Sequence, residues 1–229
     1  MVLLIFVAFI AICLAVDAVV QYRKRKEAEM LNPASSFPGV FDENTVVAPK
    51  GLYFDKSHTW AYMDKYGSVK IGIDDFLQHI TGPLTRVEMK NPGEKIKKGE
   101  AILTIIQKGK RLNIYAPVSG TIKGLNKQLS TDSSIVNSSP YCDGWIYMIE
   151  PANWLKDTQL MMMAEKTNEW LKNEFSRLKD FLAVTIRANT PEYEYAVLQD
   201  GGAIKDSVLA DFGPELWEDF QINFIDKVK

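Results

Sequence analysis

Few side chains of this chain have the type and spacing that chemistry requires. Its 229 residues include two cysteines, Cys13 and Cys142, and two histidines, His58 and His79. Zinc sites need three or four cysteine or histidine ligands at short spacings, and a nucleophile needs a base beside it. The two histidines are far apart in sequence and adjoin large apolar residues, which favours packed or capping roles. We therefore expect that the chain has no catalytic residue and no metal site, and that it is not an enzyme.

A lysine pair around a glycine is more distinctive. Lys108-Gly109-Lys110 lies between two β-rich runs, Ala101–Gln107 and Leu112–Tyr115. Glycine supplies the positive φ of a tight hairpin turn, and flanking lysines keep such a turn soluble. The sequence therefore predicts a plain hairpin turn here. Two alternatives remain open: a turn with a modified lysine, and a basic loop that binds an anionic ligand.

The charge balance limits the classes of partner. The chain has 27 basic and 29 acidic residues and a net charge of −2. Non-specific phosphate binding needs an excess of lysine and arginine, so we expect no nucleic-acid partner. Hydrophobic residues make up 46% of the chain, which is enough for a folded core.

Several short elements must position the turn. Further β-rich runs are Trp60–Met63, Ser68–Ile73 and Gly120–Leu125, and Asp74 is typical of the N-cap of a short helix ending near Ile80. Beyond Pro151 the apolar spacing becomes helical and predicts a packing stripe of Leu160, Met163, Ala164, Leu171, Phe175, Leu178 and Leu182. The last stretch is too short for a domain, and we expect it to strap over the preceding parts or to dock elsewhere.

The first twenty residues are apolar and have the length of a helix that crosses a bilayer. Asp17 is their only charged side chain, and the cations of residues 23–26 follow directly. A cleaved signal peptide would place its cations before the apolar run. The positive-inside rule then predicts a single-pass inner-membrane protein with its N-terminus outside and its bulk in the cytoplasm.

These observations divide the chain into five parts. We predict a transmembrane anchor at 1–22, a basic and then Pro/Ser-rich tether at 23–50, a β-rich domain at 51–153, an amphipathic helix at 154–183 and a C-terminal extension at 184–229.

The β-rich part resembles the H protein of the glycine cleavage system. The motifs that carry the resemblance occur in order: His58-Thr59-Trp60, Gly72-Ile73, Gly93 to Glu100, Ile114 to Gly120, Val136 to Tyr141, and Gly144-Trp145. The resemblance implies a mainly β fold, a flattened β-barrel sandwich (barrel-sandwich hybrid) with a C-terminal helix. Outside the region of resemblance, the sequence predicts an N-terminal transmembrane helix and a C-terminal helical extension.

The resemblance also implies a site. In that family one lysine at a hairpin tip bears lipoic acid and shuttles an aminomethyl group between enzymes. Counted back from Tyr115-Ala116-Pro117, the lipoyl position falls on Gly109, and a family acidic position falls on Ile106. The family site is therefore degenerate here. Lys108 and Lys110 remain as alternative attachment points.

Two hypotheses of different class follow. The first is a non-enzymatic, membrane-anchored scaffold or interaction subunit with no cofactor, whose partners are the membrane and protein subunits of a membrane-associated complex. The second is a lipoylated carrier that uses Lys108 or Lys110 and serves glycine cleavage or a membrane-linked redox enzyme.

Overall fold

The computed structural model describes residues 40–42, 45–46, 48–189, 198–199 and 203–228. The predicted anchor at 1–22 and most of the predicted tether at 23–50 lie outside these ranges. Within the described ranges, no helix has the length and apolar character needed to cross a membrane.

Short strands and a few helices make up the described chain. The strands are β1 Val40–Phe41, β2 Tyr53–Asp55, β3 Thr59–Met63, β4 Val69–Ile73, β5 Arg86–Met89, β6 Lys95–Ile96, β7 Ala101–Gln107, β8 Lys110–Tyr115, β9 Gly120–Leu125, β10 Tyr147–Pro151, β11 Leu198–Gln199 and β12 Ala203–Lys205. The α-helices are α1 Asp75–Thr81, α2 Ile135–Ser138, α3 Trp154–Thr158, α4 Glu165–Asn189 and α5 Pro214–Phe220.

Antiparallel pairing arranges these strands in three sheets. The largest has the order β2-β3-β4-β10-β9-β6, a second has β5-β7-β8, and a small one has β1-β12-β11. The fold is therefore mainly β, as predicted. In the small sheet Val40 pairs with Lys205 and Phe41 with Ile204, so that the first described strand joins the C-terminal part of the chain.

Of the flattened β-barrel sandwich that the resemblance implies, the mainly β sheet fold is present, but none of the described strand orders closes into a barrel. Segments outside the sheets contact two of the sheet edges. The edge of β2 pairs with Met162 through two backbone hydrogen bonds of 2.8 Å to Phe54. At the edge of β8, the backbone N–H of Asn113 donates to Gln221 Oε1 at 2.6 Å.

The residue at which β8 begins determines which face of the strand the Lys110 side chain lies on. The predicted β-rich run begins at Leu112, whereas the strand begins at Lys110. Side chains alternate between the two faces of a strand. Lys110, Leu112 and Ile114 are buried while Arg111 and Asn113 are exposed. Lys110 therefore occupies a position on the core face.

The predicted single helix at 154–183 is interrupted. The chain leaves α3 at Thr158 and enters α4 only at Glu165, because Met162 pairs with β2 and Ala164 has a φ of +51°. The first part of the predicted stripe is therefore wrong, and Leu160 is 84% exposed. The second part is buried as expected: Leu171, Phe175, Leu178 and Leu182.

The C-terminal residues 203–228, which we call the strap, pack against the rest of the fold. The strap contains β12, a 3-10 turn at Val208–Asp211, α5 and a π turn at Gln221–Ile225. Its apolar side chains join the main core: Ile204, Val208, Leu209, Phe212, Leu216, Trp217, Phe220, Phe224 and Ile225.

Candidate functional site

The tip of the β7–β8 hairpin is a two-residue turn. Gln107 pairs with Lys110, which leaves Lys108 and Gly109 as the loop. Their φ angles are +49° and +86°, and positive φ at both positions is the type I′ turn whose twist matches a hairpin. The backbone N–H of Lys108 donates to Thr85 Oγ1 at 3.0 Å. The predicted tight turn is present, and Gly109 stands at its tip.

The two flanking lysines have different environments. Lys108 is exposed, as is Gly109. Lys110 is only 8% exposed, and its ammonium lies under the strap. A Cβ added at Gly109 would meet nothing within 4 Å. The tip therefore has open space at the position where the family carries its lysine.

The Lys110 ammonium uses all of its hydrogen-bond donors within the protein. Nζ donates to the carbonyl oxygens of Ala210 at 2.7 Å, Phe212 at 3.1 Å and Leu209 at 3.5 Å, which uses its three N–H donors. These carbonyls lie at the C-terminal end of the 3-10 turn and at its C-cap residue Phe212, where the helix dipole favours a cation. Nζ also lies 5.2 Å from the centre of the Trp217 ring. Burial lowers the pKa of Lys110, and the nearby Lys108 charge lowers it further.

A lysine held in this way should stabilise the docked strap. We expect Lys110→Met, which keeps the length and removes the donors, to lower the free energy of unfolding by about 1–3 kcal/mol, because the carbonyls of Ala210 and Phe212 lose the hydrogen bonds from Lys110. Hydrogen exchange of the strap amides and urea unfolding measure the effect. The matched control is Lys108→Met at the exposed tip, expected within about 0.5 kcal/mol of wild type. Equal effects of the two variants would contradict this role for Lys110.

The strap also contacts the C-terminal end of β8. Tyr115 Oη donates to Asp226 Oδ1 at 2.6 Å and accepts from Gln221 Nε2 at 3.2 Å. Burial raises the pKa of Tyr115, and the Asp226 carboxylate raises it further, so that the phenol stays protonated as a donor. Gln221 Oε1 accepts the N–H of Asn113. One face of the hairpin is therefore occupied by the chain's own C-terminal residues.

The histidines lie apart from the hairpin tip. His58 is completely buried, with Nδ1 at 2.9 Å from Asp74 Oδ2 and Nε2 at 3.4 Å from Glu174 Oε2. His79 is partly exposed, and its Nδ1 lies 2.7 Å from Asp206 Oδ1 of the strap. Each imidazole lies against carboxylates of the protein. Among the described residues, no group of three or more histidine, cysteine, aspartate and glutamate side chains could hold a metal ion.

Comparison with known proteins identifies the family of this chain. A family model described as "Glycine cleavage H-protein" matches residues 52–174. The chain belongs to the glycine cleavage H-protein family.

The family match covers the β-rich part and the beginning of α4. The chain is 36% identical over 124 residues to the probable glycine cleavage system H protein of Pyrococcus abyssi, an alignment that covers 54% of this chain and 92% of the relative. It is 33% identical over 126 residues to a glycine cleavage system H protein of Thermus thermophilus, covering 55% and 97%. The solved glycine cleavage system H protein of Mycobacterium marinum has 23% identity and a TM-score of 0.46, covering 51% of this chain and 92% of that one.

The strap lies beyond the family match, which ends at residue 174. Sequence reasoning did not find its contacts, in particular those of Lys110 and of the His79–Asp206 pair. A signal was present in the apolar residues Val208, Phe212, Leu216 and Phe220, whose four-residue spacing is typical of a helix with one buried face.

Proposed function

We propose that this chain is a non-enzymatic interaction or scaffold subunit built on an H-protein domain that carries no lipoyl group. The observation that carries the proposal is the state of the hairpin. Its tip presents Gly109, which has no amine, and the ammonium of Lys110 is bound by three strap carbonyls. A lipoyl ligase needs a free amine, and the hairpin face beside the tip already holds the strap.

In the proposed mechanism the chain acts by holding its H-protein domain close to the membrane. We propose that residues 1–22 anchor the chain in the inner membrane with the N-terminus outside, and that the H-protein domain lies on the cytoplasmic side. The apolar run and the cations after it support this arrangement. A tethered domain meets membrane-bound protein partners at a raised effective concentration, without any new contact. The partners are then subunits of a membrane-associated complex.

A second candidate is a lipoylated carrier that uses Lys108. The relatives favour it, since they are glycine cleavage system H proteins. One observation in the structure also favours it: Lys108 is exposed in the two-residue turn, one position from the place where the family carries its lysine. Lys110 is the poorer attachment point, because acylation would require the strap to leave.

Mass spectrometry of the endogenously expressed protein separates the two candidates. We expect peptides containing Lys108 and Lys110 to carry no octanoyl or lipoyl mass. We expect Gly109→Lys to become modified, since the added side chain has open space, although the positive φ costs about 1–2 kcal/mol.

Two further variants complete this experiment. Lys108→Arg and Lys110→Arg remove each acylable amine and keep the charge. A lipoyl mass on the unaltered protein that disappears in Lys108→Arg would replace the scaffold proposal with the carrier. An unmodified wild type together with a modified Gly109→Lys supports a hairpin that keeps the family geometry and lacks its amine.

A further inference from the structure

The sheet β5-β7-β8 has one face toward the core and one face outward. Directly opposite residues of paired antiparallel strands have their side chains on the same face of the sheet. The outward face, which we call the outer hairpin face, consists of two rows of residues in register: Arg86, Ile106 and Arg111, then Glu88, Thr104 and Asn113. A hydrogen bond of 2.9 Å from Thr104 Oγ1 to Asn113 Oδ1 joins β7 and β8 on this face.

Two exposed arginines of the outer hairpin face converge on one carboxylate. The side chains of Arg86 and Arg111 are 66% and 57% exposed. Arg86 Nη2 donates to Glu88 Oε1 at 2.5 Å, and Arg111 donates to both oxygens of the same carboxylate. The hydrogen bond from Arg111 lowers the pKa of Glu88, which keeps this carboxylate ionised. The face therefore already binds a carboxylate that belongs to the chain itself.

The outer hairpin face remains positively charged after this pairing. One carboxylate balances only one of the two guanidinium groups, and the exposed Lys108 at the adjoining turn adds a further positive charge. A guanidinium has five N–H donors in a planar fork that matches the geometry of a carboxylate. Glu88 accepts one hydrogen bond from Arg86 and two from Arg111. The fork of each arginine is therefore suited to a second carboxylate brought by another molecule.

Other surfaces of the hairpin are already used within the chain. The opposite face of the sheet contributes Ile105 and Leu112 to the main core. At the edge of β8, Gln221 of the strap accepts the backbone N–H of Asn113. A protein that binds β8 with the strap in place therefore has the outer hairpin face to contact.

We propose that the outer hairpin face is a docking surface for an acidic segment of a partner protein, whose carboxylates bind Arg86 and Arg111. Complementary charge carries the proposal, because such patches direct association and select partners. The whole chain has a net charge of −2, so the attraction belongs to this face and not to the chain in general. The inference gives the chemistry of the partner in the proposed interaction role and rests on that role.

Glu88 makes the proposal testable, because it competes with the partner for both arginines. The probe is a fluorescein-labelled peptide of alternating glutamate and serine, titrated with the full chain in non-ionic detergent at constant ionic strength and followed by anisotropy. We expect Glu88→Gln to tighten binding about twofold to fivefold. The matched control is Glu150→Gln, which makes the same charge change where Glu150 pairs with Lys123 of β9. It is expected to leave the affinity unchanged, and equal tightening in both variants would overturn the proposal.

Removal of the arginines gives the opposite result. We expect the double variant Arg86→Gln, Arg111→Gln to weaken peptide binding about tenfold or more. The control is the double variant Lys123→Gln, Lys127→Gln, which removes two exposed cations elsewhere and is expected to bind as wild type does. All four substituted side chains are exposed, so none of these changes is expected to unfold the protein. Equal weakening in the two double variants would overturn the docking surface.

Two further measurements separate the alternatives. An oligothymidylate of equal charge is used as a competitor, and displacement of the peptide at equal or lower concentration would overturn the proposal in favour of general anion binding. Intact mass first establishes that the lysines of the assayed protein are unmodified. A lipoyl group on the endogenous protein would then contradict the scaffold role, whereas the peptide titrations test the docking surface by itself.

Discussion

Replacing His58 with asparagine is expected to cost about 3–5 kcal/mol of unfolding free energy at pH 6.5. The imidazole is completely buried between the carboxylates of Asp74 and Glu174. Asparagine tolerates the φ of +59° at this position, so that the backbone is not further strained. The variant removes the cation. Two buried carboxylates then lose a shared partner, although Arg177 still contacts Glu174.

The same cluster predicts how stability changes with pH. Burial alone would lower the pKa of His58, but the charge and hydrogen bond of Asp74, with those of Glu174, raise it to about 9 from 6.5. A raised pKa in the folded state means that the stabilisation is complete below about pH 6.5. It is lost as the pH rises through about 9. The difference corresponds to about 3 kcal/mol.

Urea unfolding of wild type and His58→Asn at pH 6.5 and pH 9 measures both effects. We expect the wild type to lose stability over this interval and the variant to lose much less, because other titrating groups are common to both proteins. Glu174→Gln should give an intermediate slope, since one of the two carboxylates remains. Parallel slopes for wild type and His58→Asn would show that His58 is not protonated in the folded state.

Phe175→Ala is the second change with a large expected effect. Phe175 on α4 is 4% exposed, and its ring lies 4.6 Å from that of Phe41 and 5.0 Å from that of Phe76. Truncation leaves a cavity where β1, α1 and α4 meet. We expect a loss of about 3–5 kcal/mol in unfolding free energy.

Val184→Ala is the matched control for this experiment. Val184 lies on the same helix and is 70% exposed, so its truncation is expected to change stability by less than about 0.5 kcal/mol. Thermal and urea unfolding of the two variants are compared with wild type. Similar losses at the two positions would contradict the role of Phe175 burial, since alanine has the higher helix propensity at both positions.

Local sequence signals predicted most of the β-rich part. Strands β3, β4, β7 and β9 lie where the alternating apolar runs place them, and Asp74 caps α1 by accepting the N–H of Leu77 at 2.9 Å. These features depend on neighbouring residues in sequence. The glycine at the hairpin tip was predicted for the same reason, because a two-residue turn imposes a local backbone requirement.

The environments of the lysines could not be predicted in this way. The partners of Lys110 are about one hundred residues away in sequence, and no local pattern links them. The break before α4 has a similar cause, since Met162 pairs with Phe54 of a distant strand and the helical spacing of Leu160 is overridden. Pairing between residues distant in sequence therefore determines the position of Lys110 and the start of α4, which the periodicity of the sequence does not reveal.

The pairing of β1 with β12 couples the first described strand to the segment that holds Lys110. Val40 and Phe41 are joined to Lys205 and Ile204, and the residues after Lys205 hold the hairpin. These two residue pairs belong to the small sheet and not to the six-stranded sheet. A change that weakens them is therefore expected to loosen the strap while the pairing within the six-stranded sheet stays intact.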